Sequence, residues 1–402
     1  MIIGELCESF PPTCDGVGRV AMEYCHGLAK RGHTVYYIAP MDAAHSHVEG
    51  LNCLLYRSVH IPGQNYQYGL PMEDREFVAR LDEIPFDLLH LHSPFQSWTV
   101  AKHVLKTRPV PLVTTFHSKY YDDFLKATHS KMITNAVVRK IVNVYRRCDE
   151  VWTVNSSTAD VLRGYGFDGA ITVVSNGTDL VAAGEAEVDT VRRKYGVREG
   201  CPVFLYVGQI DCKKNLPMTL EACALLKERG QDFELLLVGM GPDQETLEKE
   251  RARLGLEKQV HFLGFINNDT TLRSLYTLAD LFIFPSVYDT FGLVVREAAA
   301  AGTPALMVKG SCCAEGVRDG VDGFLCENTP ASLADRIVSA LPLKQEVGLE
   351  ASRSLPVTWD QVMDEAEARY DALCRKKTGQ LPKRPRRKHL RRLMRRRSKS
   401  TR

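Results

Sequence analysis

The chain has 402 residues, 44% apolar and 25% charged, a length that calls for two domains and a composition ordinary for a protein that faces water. No run of about 18 apolar residues occurs, so a bilayer-spanning helix is not expected. The net charge of +3 conceals an asymmetry: residues 375–402 hold fifteen Lys and Arg and no acid, which leaves −12 on the rest and marks a basic, disordered or helical tail that seeks an anionic partner.

In chain order, residues 2–6 read as a short apolar strand and 18–30 as a helix, ended at Arg31-Gly32-His33. The start lacks the basic residues and long apolar stretch of a signal peptide, and twelve cysteines lie scattered without a CxxC pair. Reduced thiols and a cytoplasmic location are therefore expected. Residues 34–39 are β-rich. Strands follow at 87–91 and 112–116, with a helix at 96–106 between them. Residues 129–147 read as one amphipathic helix with a basic polar side, and strands at 151–155 and 171–174 complete this half. Strands alternating with helices predict a parallel sheet covered on both faces.

A polar, acidic stretch at 181–201 precedes a second series, with strands at 203–207, 234–238, 260–262, 281–284 and 305–308 and helices near 216–228 and 244–254. A late helix, about 359–376, follows Pro356. The expected domains are 1–180 and 181–350, followed by the tail at 375–402. Two such domains would bind a ligand in a shared cleft at the carboxyl ends of their sheets.

The chemistry-bearing residues fall at those strand ends. In "YDTFGLVVREAAAAGTP" (288–304), Asp289 and Glu297 stand eight apart across a strand–loop–helix junction, with Phe291, Gly292 and Leu293 between them. Exposed N–H groups at such a junction suit an anion, Gly292 admits close approach, and the two carboxylates can accept from sugar hydroxyls. That arrangement matches a nucleotide sugar; an acidic loop residue plus a helix Glu on a solvated face, outside the core, is the alternative. "YVGQIDCKKN" (206–215) offers Lys213 and Lys214 to a diphosphate, or simply to solvent. Gly239 and Gly241 follow the next strand, where tight turns often need glycine. "TTFHS" (114–118) ends a strand in His117, expected to face the cleft, and Gly16 and Gly18 open the first helix. His90 and His92 alternate on one strand without an evident third ligand, so they are expected to line the cleft rather than hold a metal.

Together these motifs resemble the family-4 glycosyltransferases of the GT-B fold, over nearly all of residues 1–372 and most strongly over 203–330. The resemblance implies two Rossmann-like domains facing a central cleft, with the late helix, about 357–374, braced on the first. It implies retaining transfer of a hexose from a nucleotide-diphosphate sugar. Glu297 would meet the ribose, Asp289 and His117 the transferred sugar, Lys214 the diphosphate, and Gly16 the phosphates and acceptor. Two positions depart from the family: Asp289 stands where Glu is usual, and Gln209 where Arg is usual, so phosphate there gains a hydrogen bond but no charge. No Asp-x-Asp occurs, and neither a cofactor nor a metal requirement is expected. Stretches in the first half resemble the bacterial diacylglycerol glucosyltransferases. They point to UDP-glucose as donor, a lipid acceptor, and an enzyme held at the cytoplasmic membrane face by its tail. A soluble or polysaccharide acceptor, a sugar-nucleotide epimerase and nucleic-acid binding through the tail are the alternatives; the acidic body disfavours the last.

Overall fold

The computed structural model describes residues 1–10, 15–41, 47–60 and 67–378; the basic tail beyond Thr378 lies outside them. Two compact units emerge, one formed by 1–175 together with the chain from Trp359 onward, the other by 176–358. Each is a parallel sheet between helices. The first contains β1 (Ile2–Leu6), β2 (Thr34–Pro40), β3 (Asn52–Tyr56), β6 (Leu88–Leu91), β7 (Leu112–Phe116), β8 (Glu150–Thr153) and β9 (Thr172–Val173), in the order β3-β2-β1-β6-β7-β8-β9. A separate hairpin pairs β4 (Ser58–His60) with β5 (Gln67–Gly69). The second sheet runs β12-β11-β10-β13-β14-β15, from β10 (Val203–Val207), β11 (Glu234–Val238), β12 (Val260–Gly264), β13 (Leu281–Phe284), β14 (Ala305–Val308) and β15 (Phe324–Cys326).

The apolar runs that predicted strands are buried from end to end, as in β6, β7, β11, β13 and β14, because helices cover both faces of a parallel sheet. A helix that the sequence did not show, Tyr120–Thr128, is followed by the one expected over 129–147, observed as Lys131–Tyr145. His129 turns left-handed (φ 50°) and Ser130 caps the second by accepting from Ile133 N. The acidic stretch at 181–201 contains the helix Glu185–Tyr195, in which Glu187 accepts from Gly184 N and pairs with Arg273.

The last helix, Trp359–Thr378, packs on the first unit against Gly16–Lys30. A Cβ on Gly27 would stand 2.6 Å from Met363 Cγ, so glycine sets the approach of the two helices. Tyr370 stacks on Trp152 (centroids 5.5 Å, 9°), while Arg31 binds Asp364 at 2.5 Å. This helix runs past 375, and Lys377 pairs with Asp149 at 2.7 Å, so the first basic residues of the charged segment belong to the last helix.

Candidate active site

In the second unit, polar groups gather in the loops after three neighbouring strands, β11, β10 and β13. After β13, buried Ser286 accepts through Oγ from the backbone N–H groups of Tyr288 and Asp289, both at 3.3 Å, which shapes the turn. Gly292 then adopts φ 68° and starts the helix Leu293–Ala300. A side chain there would crowd Cys313 Sγ at 3.1 Å and Phe284 at 3.3 Å. Phe291 is buried beneath the Arg296 guanidinium, 5.4 Å from its centroid, and Leu293 is half-buried.

After β10, the Asp211 carboxylate accepts from Lys213 N at 2.9 Å and starts the short turn Cys212–Lys214. That turn carries Lys214 to Asp289, where Nζ donates to Oδ1 at 2.5 Å. The ring of Tyr288 lies beneath both lysines, 4.5 Å from Lys213 Nζ and 5.0 Å from Lys214 Nζ. The other Asp289 oxygen, Oδ2, is buried and makes no hydrogen bond among the described residues. A cation and a carboxylate with an unfilled acceptor thus share one loop cluster. Gln209 is exposed beside it, its backbone carbonyl accepting from Tyr206 Oη at 2.9 Å.

Glu297 is not on a solvated face. It is 2% exposed and accepts at Oε2 from Tyr276 Oη at 2.8 Å. Nothing in the spacing of residues 288–304 names Tyr276, which comes from the preceding helix, Asp269–Leu278. The paired glycines also have a packing reason. A Cβ at Gly239 would stand 1.9 Å from the Gly208 carbonyl oxygen, and one at Gly241 2.1 Å from that of Ile210. The two loops lie backbone to backbone, joined by Ile210 N to Met240 O at 3.1 Å and Cys212 N to the Asp243 carboxylate at 2.8 Å. Arg296, unremarkable in the sequence, is buried with Nη2 on Glu315 O at 3.1 Å, and burial pulls its pKa down.

In the first unit, the Asp15 side chain caps the helix Gly16–Lys30 by accepting from Gly18 N. Among the described residues nothing lies within 4 Å of a Cβ on Gly16; Gly18 is the crowded glycine, with a Cβ only 2.9 Å from that of Ser9. His117, at the end of β7, is buried and joins a cluster that only the fold reveals. Its Nε2 lies 3.0 Å from His92 Nδ1, and His92 Nε2 lies 2.8 Å from Glu5 Oε2. His90 Nδ1 meets Tyr370 Oη at 2.7 Å and Glu5 at 3.2 Å, and His90 Nε2 meets Thr115 Oγ1 at 2.8 Å. Glu5, His90 and His92 are wholly buried, so the two histidines do not line an opening as expected.

Burial alone would push Glu5 up, but His90 and His92 together outweigh it and hold the carboxyl at about 2. Burial lowers His92 to about 4 and holds His117 well below the usual histidine range. Glu5 is the third group that the sequence left unseen. With His90 and His92 it makes a donor set, all within 4.8 Å, of a kind that suits a divalent transition metal. Each ring nitrogen of His90 and His92 already meets a protein group, which fits a hydrogen-bonded network at least as well. No helix among the described residues is long and apolar enough to cross a membrane.

Comparison with known proteins places both units. The family "Glycosyl transferases group 1" matches residues 187–348, and "Glycosyltransferase Family 4" matches 14–182. The alpha-monoglucosyldiacylglycerol synthase of Acholeplasma laidlawii is 24% identical over 81% of this chain and 84% of its own. A GDP-mannose-dependent alpha-mannosyltransferase of Corynebacterium glutamicum is 24% identical over 93% and 87%. Among solved structures, HepE of Anabaena, crystallised with UDP and glucose, superposes with a TM-score of 0.73 at 21% identity, covering 91% of this chain and 98% of its own.

Proposed function

Because the chain belongs to the family-4 glycosyltransferases and is a glycosyltransferase of the GT-B fold, we propose that it moves glucose from UDP-glucose, with retention, to a membrane lipid of the diacylglycerol class. The observation that carries this is the Lys214–Asp289 pair: a cation for a diphosphate beside a carboxylate oxygen, Asp289 Oδ2, with no hydrogen-bond partner among the described residues. UDP and glucose in the Anabaena structure support the donor, and the A. laidlawii relative supports the acceptor.

In this reading Lys214 exchanges Asp289 for the diphosphate, Gln209 adds a hydrogen bond, and N–H groups at Gly292 and Leu293 meet the phosphate at a helix start. Asp289, released, accepts from a hydroxyl of the sugar. Tyr276 fixes the rotamer of Glu297, so the ribose diol meets a carboxylate already in place. The bond from sugar C1 to the phosphate oxygen breaks as C1 bonds to the acceptor oxygen on the same face. The acceptor proton passes to the leaving phosphate, and no protein nucleophile is required. Lysine and backbone N–H groups meet the leaving charge, so transfer proceeds without a divalent ion.

The test is a donor-by-acceptor panel with the full-length protein, with and without EDTA, and products separated by mass. Glucosylated diacylglycerol from UDP-glucose in EDTA is the expected result. Transfer only to soluble acceptors would overturn the lipid, and loss of activity restored by one divalent ion would overturn metal independence. A mannosyl donor is the second reading, favoured by the C. glutamicum relative, and preference for GDP-mannose in the panel would install it.

A further inference from the structure

We propose that Asn215 is a positioning residue for Lys214: its amide clamps the lysine loop to the end of β13, and so keeps Lys214 in reach of the donor diphosphate once the lysine lets go of Asp289. The inference rests on the proposed place of Lys214 at the diphosphate and adds what holds it there.

The backbone comes first. Asn215 closes the turn Cys212–Lys214, its N–H donating to Cys212 O at 3.0 Å, and its carbonyl accepts from Thr219 N at 3.2 Å as the helix Leu216–Glu228 begins. Joining a tight turn directly to a helix puts the residue at φ 66° and ψ 22°. Among the described residues only His129 and Asn215 take a positive φ without being glycine. Asparagine tolerates that conformation better than most side chains, but glycine tolerates it best, so the backbone alone does not call for an amide. The side chain supplies the reason. Nδ2 donates to Pro285 O at 3.2 Å and to Asn328 Oδ1 at 2.7 Å, across 70 and 113 residues of chain. A proline carbonyl can only accept, so the amide presents its nitrogen there. Pro285 follows β13 and precedes Ser286, whose hydroxyl shapes the turn to Asp289. Two successive residues of one loop thus hold two points of the next: Asn215 holds Pro285, and Lys214 holds Asp289. Donor binding asks different things of the two. The Lys214–Asp289 bond must open for the lysine to reach a phosphate, whereas the Asn215 bonds can stay. The Lys214 side chain is 11% exposed, so its reach follows its backbone. A displacement of about 1 Å at such a group costs on the order of 100-fold in rate.

The experiment is a double-mutant cycle on the full-length protein, with steady-state kinetics at varied UDP-glucose and a calorimetric titration of UDP. Asn215→Gly keeps the left-handed backbone and removes the clamp. Asn215→Asp keeps the shape and sets a carboxylate oxygen against the Pro285 carbonyl. Each is expected to lower kcat/KM for the donor, and the affinity for UDP, by about 10-fold, with the acceptor KM within about twofold. In a Lys214→Ala background the same changes should cost less than about twofold, because the residue they act through is gone. A merely structural asparagine would cost the same in both backgrounds, and that result overturns the proposal, as does full donor kcat/KM in Asn215→Gly. If neither variant folds, Asn328→Ala, an exposed change that removes one acceptor of the clamp, decides by the same cycle. A loss of about threefold that vanishes without Lys214 supports the clamp, and no loss overturns it. Unchanged donor kinetics in Lys214→Ala would instead remove Lys214 from the diphosphate, a failure of the functional reading that the cycle reveals before Asn215 is altered.

Discussion

Asp289 and Lys214 lie 75 residues apart in the chain and 2.5 Å apart in the fold. Each was recognisable from its own loop, because the acidic loop before the helix and the lysines after a strand are local patterns. A charge-assisted hydrogen bond contributes about 1.5–3 kcal/mol, so Lys214→Ala should lower kcat/KM for the donor by about 10- to 150-fold. Asp289→Asn should lower it comparably, and Asp289→Glu, the family's usual residue, should retain activity. Steady-state kinetics with a varied donor checks all three, and an unchanged Lys214→Ala would remove that lysine from the diphosphate. Glu5 shows the opposite case. In the sequence it is one acid inside an apolar strand, and its partners come from strands that begin more than eighty residues later. Only the strand order, β1 beside β6 beside β7, brings Glu5, His92 and His117 together. The same cluster predicts an acid response. His92 stays neutral in the fold down to about 4 but takes a proton near 6.5 once unfolded. Stability is therefore full above 6.5 and falls as pH drops toward 4, by about 3 kcal/mol from this group. Urea unfolding across that range should show the loss, with a shallower slope in His92→Asn; equal slopes would refute it.

At the scale of elements, strands β1, β7, β10, β11, β13 and β14 coincide with the runs read from the sequence, because burial on both faces leaves continuous apolar stretches. Strand β3 begins with exposed Asn52 and alternates in burial, and β15 is three residues long, so neither produces such a run. The helix Glu185–Tyr195 buries one residue, Val191, so the polar, acidic stretch at 181–201 shows no apolar stripe. The separate helix Tyr120–Thr128 ends at His129, a left-handed residue that helical periodicity cannot reveal. The glycines at 239 and 241 were legible as positions but not as reasons. Their reason is contact between two loops, which gives a graded prediction. Gly241→Ala would put a Cβ 2.1 Å from Ile210 O, and the backbone must move. The cost should be about 3 kcal/mol or more, with loss of donor binding as the Lys214 loop shifts. Gly230, at φ 72° with nothing within 4 Å of a Cβ, should cost only about 1–2 kcal/mol as alanine. Thermal melts and donor titrations of both variants test the order, and equal effects would show that loop contact is not the constraint.

For the molecule as a whole, the division into two units was readable from the restart of the strand–helix pattern. The return of the last helix to the first unit came from the family resemblance. The tail beyond the described residues is read from its charge: residues 379–402 carry twelve Lys and Arg and no acid. Each basic residue near an anionic bilayer contributes about 1 kcal/mol, so about five engaged residues would concentrate the enzyme on a membrane. A chain ended at Thr378 keeps the Lys377–Asp149 pair. It should lose binding to anionic vesicles, most visibly at low salt, while still acting on a dispersed acceptor. Equal vesicle binding by the two chains would exclude the tail as an anchor, and tail-dependent RNA binding in its place would favour a nucleic-acid partner.

The helix that closes the first unit also sets an order of events during synthesis. Residues 1–175 leave the ribosome first, but Tyr370, which stacks on Trp152 and meets His90, is made only after the whole of the second unit. The segment 176–358 is continuous and can complete itself as it emerges. The earlier unit must wait for the ribosome to pass all of it, roughly 10–40 seconds at about 5–20 residues per second. Through that interval Tyr24, Trp152 and the groove at Gly27 stand uncovered on the nascent chain, so the half made first is the half finished last and the one with most to gain from a chaperone.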